Sequence, residues 1–121
     1  LYRVEKAGDV LNLERLQEAY EDDRAAIANL LGLARETELR YITALHEAIA
    51  KGEIRGVARA AHSIKGSASN IGAQRVSRIA ADIEDQAKLE HWERIPALTE
   101  ELERSYAELS SHITQYAAKI V

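Results

Sequence analysis

A histidine, a lysine and a glycine at positions 62, 65 and 66 are the residues of this chain best placed to do chemistry on another molecule. They lie in the run Ala61-His62-Ser63-Ile64-Lys65-Gly66-Ser67-Ala68-Ser69-Asn70-Ile71-Gly72-Ala73. On a helix turning by about 100° per residue, Ile54, Val57, Ala61, Ile64, Ala68 and Ile71 form one apolar stripe, and Arg55, Arg59, His62, Gly66 and Ser69 fall on roughly the opposite side. The imidazole is therefore expected to face water. Lys65 stands one turn further on, and Gly66 sits directly above His62 on the same face without a side chain. A glycine inside a helix costs roughly 0.5–1 kcal/mol against alanine. Beside an exposed nucleophile it gives another molecule room to come close.

The chemistry that suits such an imidazole is acceptance of a phosphoryl group. Attack on phosphorus needs the neutral ring, and an ordinary imidazole, with a pKa of about 6.5, is mostly neutral near pH 7. The product is close to a dianion, and Lys65 and, on the preceding turn, Arg59 offer offsetting cations. In water such pairs are worth only about 0–1 kcal/mol each. They matter more once a partner covers them and excludes solvent. Phosphoryl transfer otherwise needs in-line positioning and charge stabilisation, so a single nucleophile suffices where the partner brings the rest. Taken alone, an exposed helical histidine is an ordinary surface residue; the spacing to Lys65 and Gly66 raises His62 above that reading.

Other chemistries find no support. There is no Gly-x-x-x-x-Gly-Lys-Ser/Thr loop, and the glycine-rich feature from Gly66 to Gly72 lies on a helix, so no nucleotide site, no autonomous kinase activity and no cofactor are expected. Carboxylate-bridged metal bundles use Glu-x-x-His pairs, which are missing, and no metal site is expected. His112 has Glu108 at helical spacing, read as a surface contact, while His46 and His91 have no acid there and are read as incidental. Ser63 lies about 100° around the helix from His62 with no third group, which argues against a hydrolase triad.

The elements that must carry His62 can be read from the pattern. The chain has 121 residues, enough for one domain with a real core. That core must come from Leu, Ile, Ala and Val, since there is no Phe, no Met and one Trp. One proline and abundant Ala, Leu, Glu, Arg and Lys predict an all-α fold. Residues 1–10 read as an irregular lead-in or linker, and 11–121 as the helical domain. Asn12 can cap a short helix using Leu13, Leu16 and Tyr20 and ending near Glu21-Asp22. Asp23 can cap a long segment that runs to Ala50, either one helix or two joined by a kink at Glu36-Thr37-Glu38, with Lys51-Gly52 as its stop. A third helix over about Glu53–Ser69 carries His62, and Asn70-Ile71-Gly72 interrupts it. A fourth holds Ala73, Val76, Ile79, Ala80, Ile83 and Ala87 on one stripe and fades into the charged stretch Lys88 to Glu93. The last starts between Trp92 and Pro96 and continues through Leu98, Leu102, Tyr106, Leu109, Ile113, Tyr116 and Ile120. Four long amphipathic segments with short connections predict an antiparallel four-helix bundle with a short additional N-terminal helix across one end.

The net charge of −4 comes from interspersed acids and bases, so no nucleic-acid partner is expected. Cysteine is absent, which removes disulfides and thiolate metal sites. No apolar run has the length of a membrane span, and no signal-peptide pattern is present, so no membrane insertion is expected. The start at Leu1 rather than Met reads as a piece of a longer protein.

The stretch His62-Ser63-Ile64-Lys65-Gly66-Ser67, with its continuation to Ile71-Gly72-Ala73, resembles the signature of histidine-containing phosphotransfer (HPt) domains, in which His-x-(Leu/Ile)-Lys-Gly-(Ser/Ala) leads to a hydrophobic-Gly-Ala ending. The Ala-rich sequence before His62 and the helix start after Gly72 look like the same family, so the likeness covers nearly all of the chain. It implies a four-helix bundle with the acceptor on the middle of one helix. It implies that His62 is the phospho-acceptor, Lys65 the charge-stabilising cation and Gly66 the clearance position. The implied partners are response-regulator receiver domains, the phosphoryl group passing from one receiver's aspartyl phosphate to another receiver, with magnesium on the receiver rather than on this chain. The docking surface is expected to include Arg59, Ser63, Ser67 and Ser69. Across the groove Arg75, Ser77 and Arg78 are further candidates, for which ordinary solvated helix faces are an equal reading. The domain is expected to be monomeric and cytoplasmic, as the C-terminal module of a hybrid sensor kinase that can itself be membrane-anchored. The phosphorylatable N-terminal domain of a chemotaxis-type kinase, and a helical receiver-docking module whose histidine is never modified, are the alternatives.

Overall fold

The computed structural model describes residues 7–120. Six α-helices occur among them: α1 (Ala7–Val10), α2 (Leu13–Ala19), α3 (Arg24–Lys51), α4 (Ile54–Asn70), α5 (Gln74–Lys88) and α6 (Ile95–Ala118). The local signals that start and stop them are visible. Asn12 accepts the Arg15 N–H at 3.1 Å and Asp23 accepts the Ala26 N–H at 3.1 Å, each satisfying a donor that a helix N-terminus leaves unpaired. Gly52, at φ 68°, closes α3 in the left-handed conformation that glycine adopts without a Cβ clash. A 3₁₀ turn over Trp92–Arg94 leads into α6, with Pro96 in its first turn where a missing N–H costs nothing.

The four long helices form the bundle, each packed on the next, with α6 closing against α3. Cross-helix pairs show that neighbours run antiparallel. Early α4 meets late α3, where a Cβ at Gly56 would lie 3.0 Å from the Ala48 Cβ. Late α4 meets early α5 at Ser69 and Ser77, whose hydroxyls are 2.7 Å apart. Arg35 of α3 donates to the Ser110 carbonyl of α6 at 3.2 Å, while His46, later in α3, pairs with Glu103, earlier in α6. The core is aliphatic, as the composition required: Ile27, Leu31, Leu45, Val57, Ile64, Ile83, Leu102 and Leu109 are completely buried. Among the described residues no helix is long and apolar enough to cross a membrane.

Two local expectations need correction. The lead-in over residues 1–10 is not irregular at its end, because Val10 and the adjoining Leu11 are drawn into the core and a helical turn forms there; residues 1–6 lie outside the described residues. Tyr20 is exposed rather than on the buried face of α2, where only Leu16 is fully covered. Of the two readings left open for the long segment, the single helix is the one found: α3 runs unbroken through Glu36-Thr37-Glu38, with Glu38 buried in the core at 0% exposure.

Candidate functional site

The stripe on α4 positions the site. Val57, Ala60, Ala61, Ile64 and Ala68 face the core, and this turns His62 outward with 66% of its side chain exposed. Gly66 is exposed on the next turn, and a Cβ built there meets nothing within 4 Å. The chain's own packing therefore has no need of a glycine at 66. Its lack of a side chain leaves open space over the ring's face of the helix.

Beneath the imidazole lies a residue that the sequence pattern did not single out. Glu84 on α5 is only 7% exposed, and its carboxylate gathers three groups. The Nδ1 of His62 is 3.0 Å from Oε2, Lys65 donates from Nζ to Oε1 at 3.0 Å, and Lys88 donates to Oε2 at 3.1 Å. Burial alone would raise the pKa of this carboxyl, but the hydrogen bonds and charges of Lys65 and Lys88 outweigh it and hold the group below its ordinary value. An ionised Glu84 has no proton to give, so the hydrogen bond to the neutral ring is donated by Nδ1–H. The lone pair of that tautomer sits on Nε2. Ala58, Arg59, His62, Ser63, Glu84 and Lys88 line an open cleft of about 410 Å³ around the ring.

Glu84 did leave a signal in the sequence. It falls four residues after Ala80 and three before Ala87, both buried, so it stands inside the apolar stripe of α5 where a carboxylate must find partners. Lys88 ends α5 as the i+4 partner of Glu84 rather than opening a loop.

The other expected residues divide. Arg59 and Ser63 share the cleft with His62, and Ser69 is exposed near the far end of α4. Ser67 is half-buried on the following turn. Ser77 donates to the Lys65 carbonyl at 3.2 Å, so the short contact between hydroxyls is donated by Ser69; this chain staples α4 to α5 beside the site. Arg75 does not face a groove partner: only 12% exposed, it pairs with Glu108 on α6 at 2.9 Å. That pairing also takes Glu108 from its expected contact with His112. His46 pairs with Glu103 across α3 and α6, and His91 with Gln86 at 2.9 Å, both away from His62. Among the described residues, no three histidine, aspartate or glutamate side chains are grouped to hold a metal ion.

An exposed histidine on the middle of a bundle helix, with a lysine and a glycine on the next turn, is an arrangement with relatives. Residues 11–112 match the family model of the Hpt domain. Among solved structures, the crystal structure of histidine-containing phosphotransfer protein B (HptB) from Pseudomonas aeruginosa PAO1 is similar, with a TM-score of 0.82 and 27% sequence identity over 96% of each chain. No curated protein matches the chain in sequence.

Proposed function

The chain belongs to the Hpt domain family, and from that premise we propose that it is a phosphorelay intermediate in which His62 accepts a phosphoryl group from the aspartyl phosphate of one receiver domain and passes it to another. The observation that carries this reading is the pairing of a mostly exposed imidazole with a buried carboxylate 3.0 Å from its Nδ1. In this mechanism Nε2 forms a bond to phosphorus in line with the breaking bond between phosphorus and the aspartyl oxygen, and the electron pair leaves with the receiver's carboxylate. Nδ1 keeps its proton throughout. The ring then carries positive charge, which Glu84 offsets, while Lys65 and Lys88 stand ready for the phosphoryl oxygens.

Gly66 serves as the clearance position for the receiver, and Arg59, Ser63, Ser67 and Ser69 as contacts around it. The divalent ion of the reaction belongs to the receiver. The Ser-Ala-Ser-Asn-Ile-Gly-Ala continuation favours a relay module at the C-terminal end of a hybrid sensor kinase over the N-terminal domain of a chemotaxis-type kinase.

Incubation with a phosphorylated receiver tests the reading. Acid-labile, alkali-stable label is expected on the wild-type chain and none on His62→Gln. Label that persists in His62→Gln overturns the assignment, and a wild-type chain that binds receivers without ever taking label is a docking module instead. Lys65→Ala is expected to fold normally and to shorten the life of the phosphohistidine; unchanged kinetics remove Lys65 from the site.

A further inference from the structure

Helix α4 carries no carboxylate. In a chain with 20 acidic and 16 basic residues, the 17 residues Ile54–Asn70 hold Arg55, Arg59 and Lys65 and not one Asp or Glu. Arg55 and Arg59 are exposed, and neither has an ion partner among the described residues. They share the solvent-facing strip with His62, Arg59 about 4.5 Å and Arg55 about 10.5 Å from it along the axis at ~1.5 Å per residue. The acid closest in sequence, Glu53, lies with its Oε2 3.8 Å from a Cβ position at Gly56 and lines a cleft with Glu47, Lys51 and Arg59, but it forms no ion pair with either arginine among the described residues. Beyond His62 the strip continues as Gly66 and Ser69, without charge. It is therefore cationic on one side of the nucleophile and small on the other.

Two unpaired guanidinium groups facing water do little for the fold of an anionic domain, but they project potential away from it. We propose that Arg55 and Arg59 form an electrostatic guide that captures the acidic, phosphorylated face of a receiver and fixes which way round it lands on His62, Arg55 acting on encounter alone. The inference rests on the phosphorelay reading above, which supplies the partner's chemistry: an acyl phosphate is an anion carried on an acidic side chain. Charge complementarity selects that occupant. A nucleic acid needs a longer run of phosphate contacts than two arginines and a lysine provide on a chain of net charge −4.

The test is the rate of phosphoryl transfer from a phosphorylated receiver, followed against receiver concentration at low and high salt, for the wild type and Arg55→Glu. The variant is expected to need about three- to tenfold more receiver for half-maximal rate at low salt. Its rate at saturation, its phosphohistidine lifetime and its thermal unfolding should match the wild type, and the gap should close in about 0.5 M salt. Equal half-saturation at low salt overturns the guide while leaving the phosphorelay standing. So does a loss confined to the saturating rate, or Arg55-dependent binding of duplex DNA that competes with the receiver. A wild-type chain that takes no phosphoryl group removes the function and the guide together.

Discussion

Glu84 sets the electrostatics around His62, because one carboxylate accepts from the ring and from two lysines. Glu84→Gln keeps an oxygen for Nδ1–H but removes the charge, and is expected to slow phosphoryl transfer to His62 by about tenfold, the low end of what a charge-assisted hydrogen bond contributes. A stopped-flow or gel-based transfer assay checks this; an unchanged rate leaves Glu84 with a purely structural part. The lowered pKa of Glu84 also has a sign. Its contribution to stability is present above the unfolded-state value near 4.5 and is lost as pH falls through the folded-state value. Urea midpoints of the wild type should thus fall towards those of Glu84→Gln as the solution is acidified below about pH 4.5. At this scale the sequence was half legible. His62, Lys65 and Gly66 are neighbours on one helix, and their spacing alone brings them together. The spacing on α5 marks Glu84 as a buried acid in need of partners, but only the packing of α5 on α4 brings it and Lys88 to His62.

Among the elements, α3 holds the least expected group. Neither carboxyl oxygen of Glu38 has a hydrogen-bond partner among the described residues, and burial pushes its pKa from 4.5 to about 8. The folded state keeps that proton where the unfolded chain releases it, so stability falls as pH rises from about 4.5 to about 8. By pH 7 the loss amounts to roughly 3 kcal/mol. Glu38→Leu should remove this slope and unfold at higher urea than the wild type at pH 8; a wild-type chain whose stability does not decline over that range contradicts the account. Reading Glu36-Thr37-Glu38 as a weak point treated the acid as a claim on water. Its neutral form instead lets the helix continue through the core. The glycines separate in the same way. Gly66→Ala places its Cβ in open space and should stabilise α4 by about 0.5–1 kcal/mol, while Gly66→Leu should fold and block transfer if the receiver needs that clearance. Gly72→Ala should destabilise by more than about 1 kcal/mol, because φ is 75° and the new Cβ would lie 2.9 Å from the Asn12 Cβ.

For the molecule as a whole, the N-terminal segment is a clasp on the end of the bundle away from Glu84. The Asn12 N–H donates to the Gly72 carbonyl at 3.1 Å, Arg15 reaches the Ser69 carbonyl at 3.4 Å, and Val10, Leu11 and Leu16 are buried. Leu16→Ala is therefore expected to cost about 2–4 kcal/mol in denaturant unfolding and to leave the lifetime of phosphorylated His62 unchanged. The bundle was legible from four apolar stripes, and the caps at Asn12 and Asp23 from their residue types. The turn at Ala7–Val10 was not, since four residues are too few to show a period and only the core gives Val10 its place. All of these parts converge on one atom, the Nε2 of His62, left outward because Glu84 occupies Nδ1. Phosphorus–nitrogen coupling in the NMR spectrum of the phosphorylated, ¹⁵N-histidine-labelled protein tests that directly. Coupling to Nε2 of His62 is the predicted result; a phosphoryl group on Nδ1, or on any other residue, would contradict it.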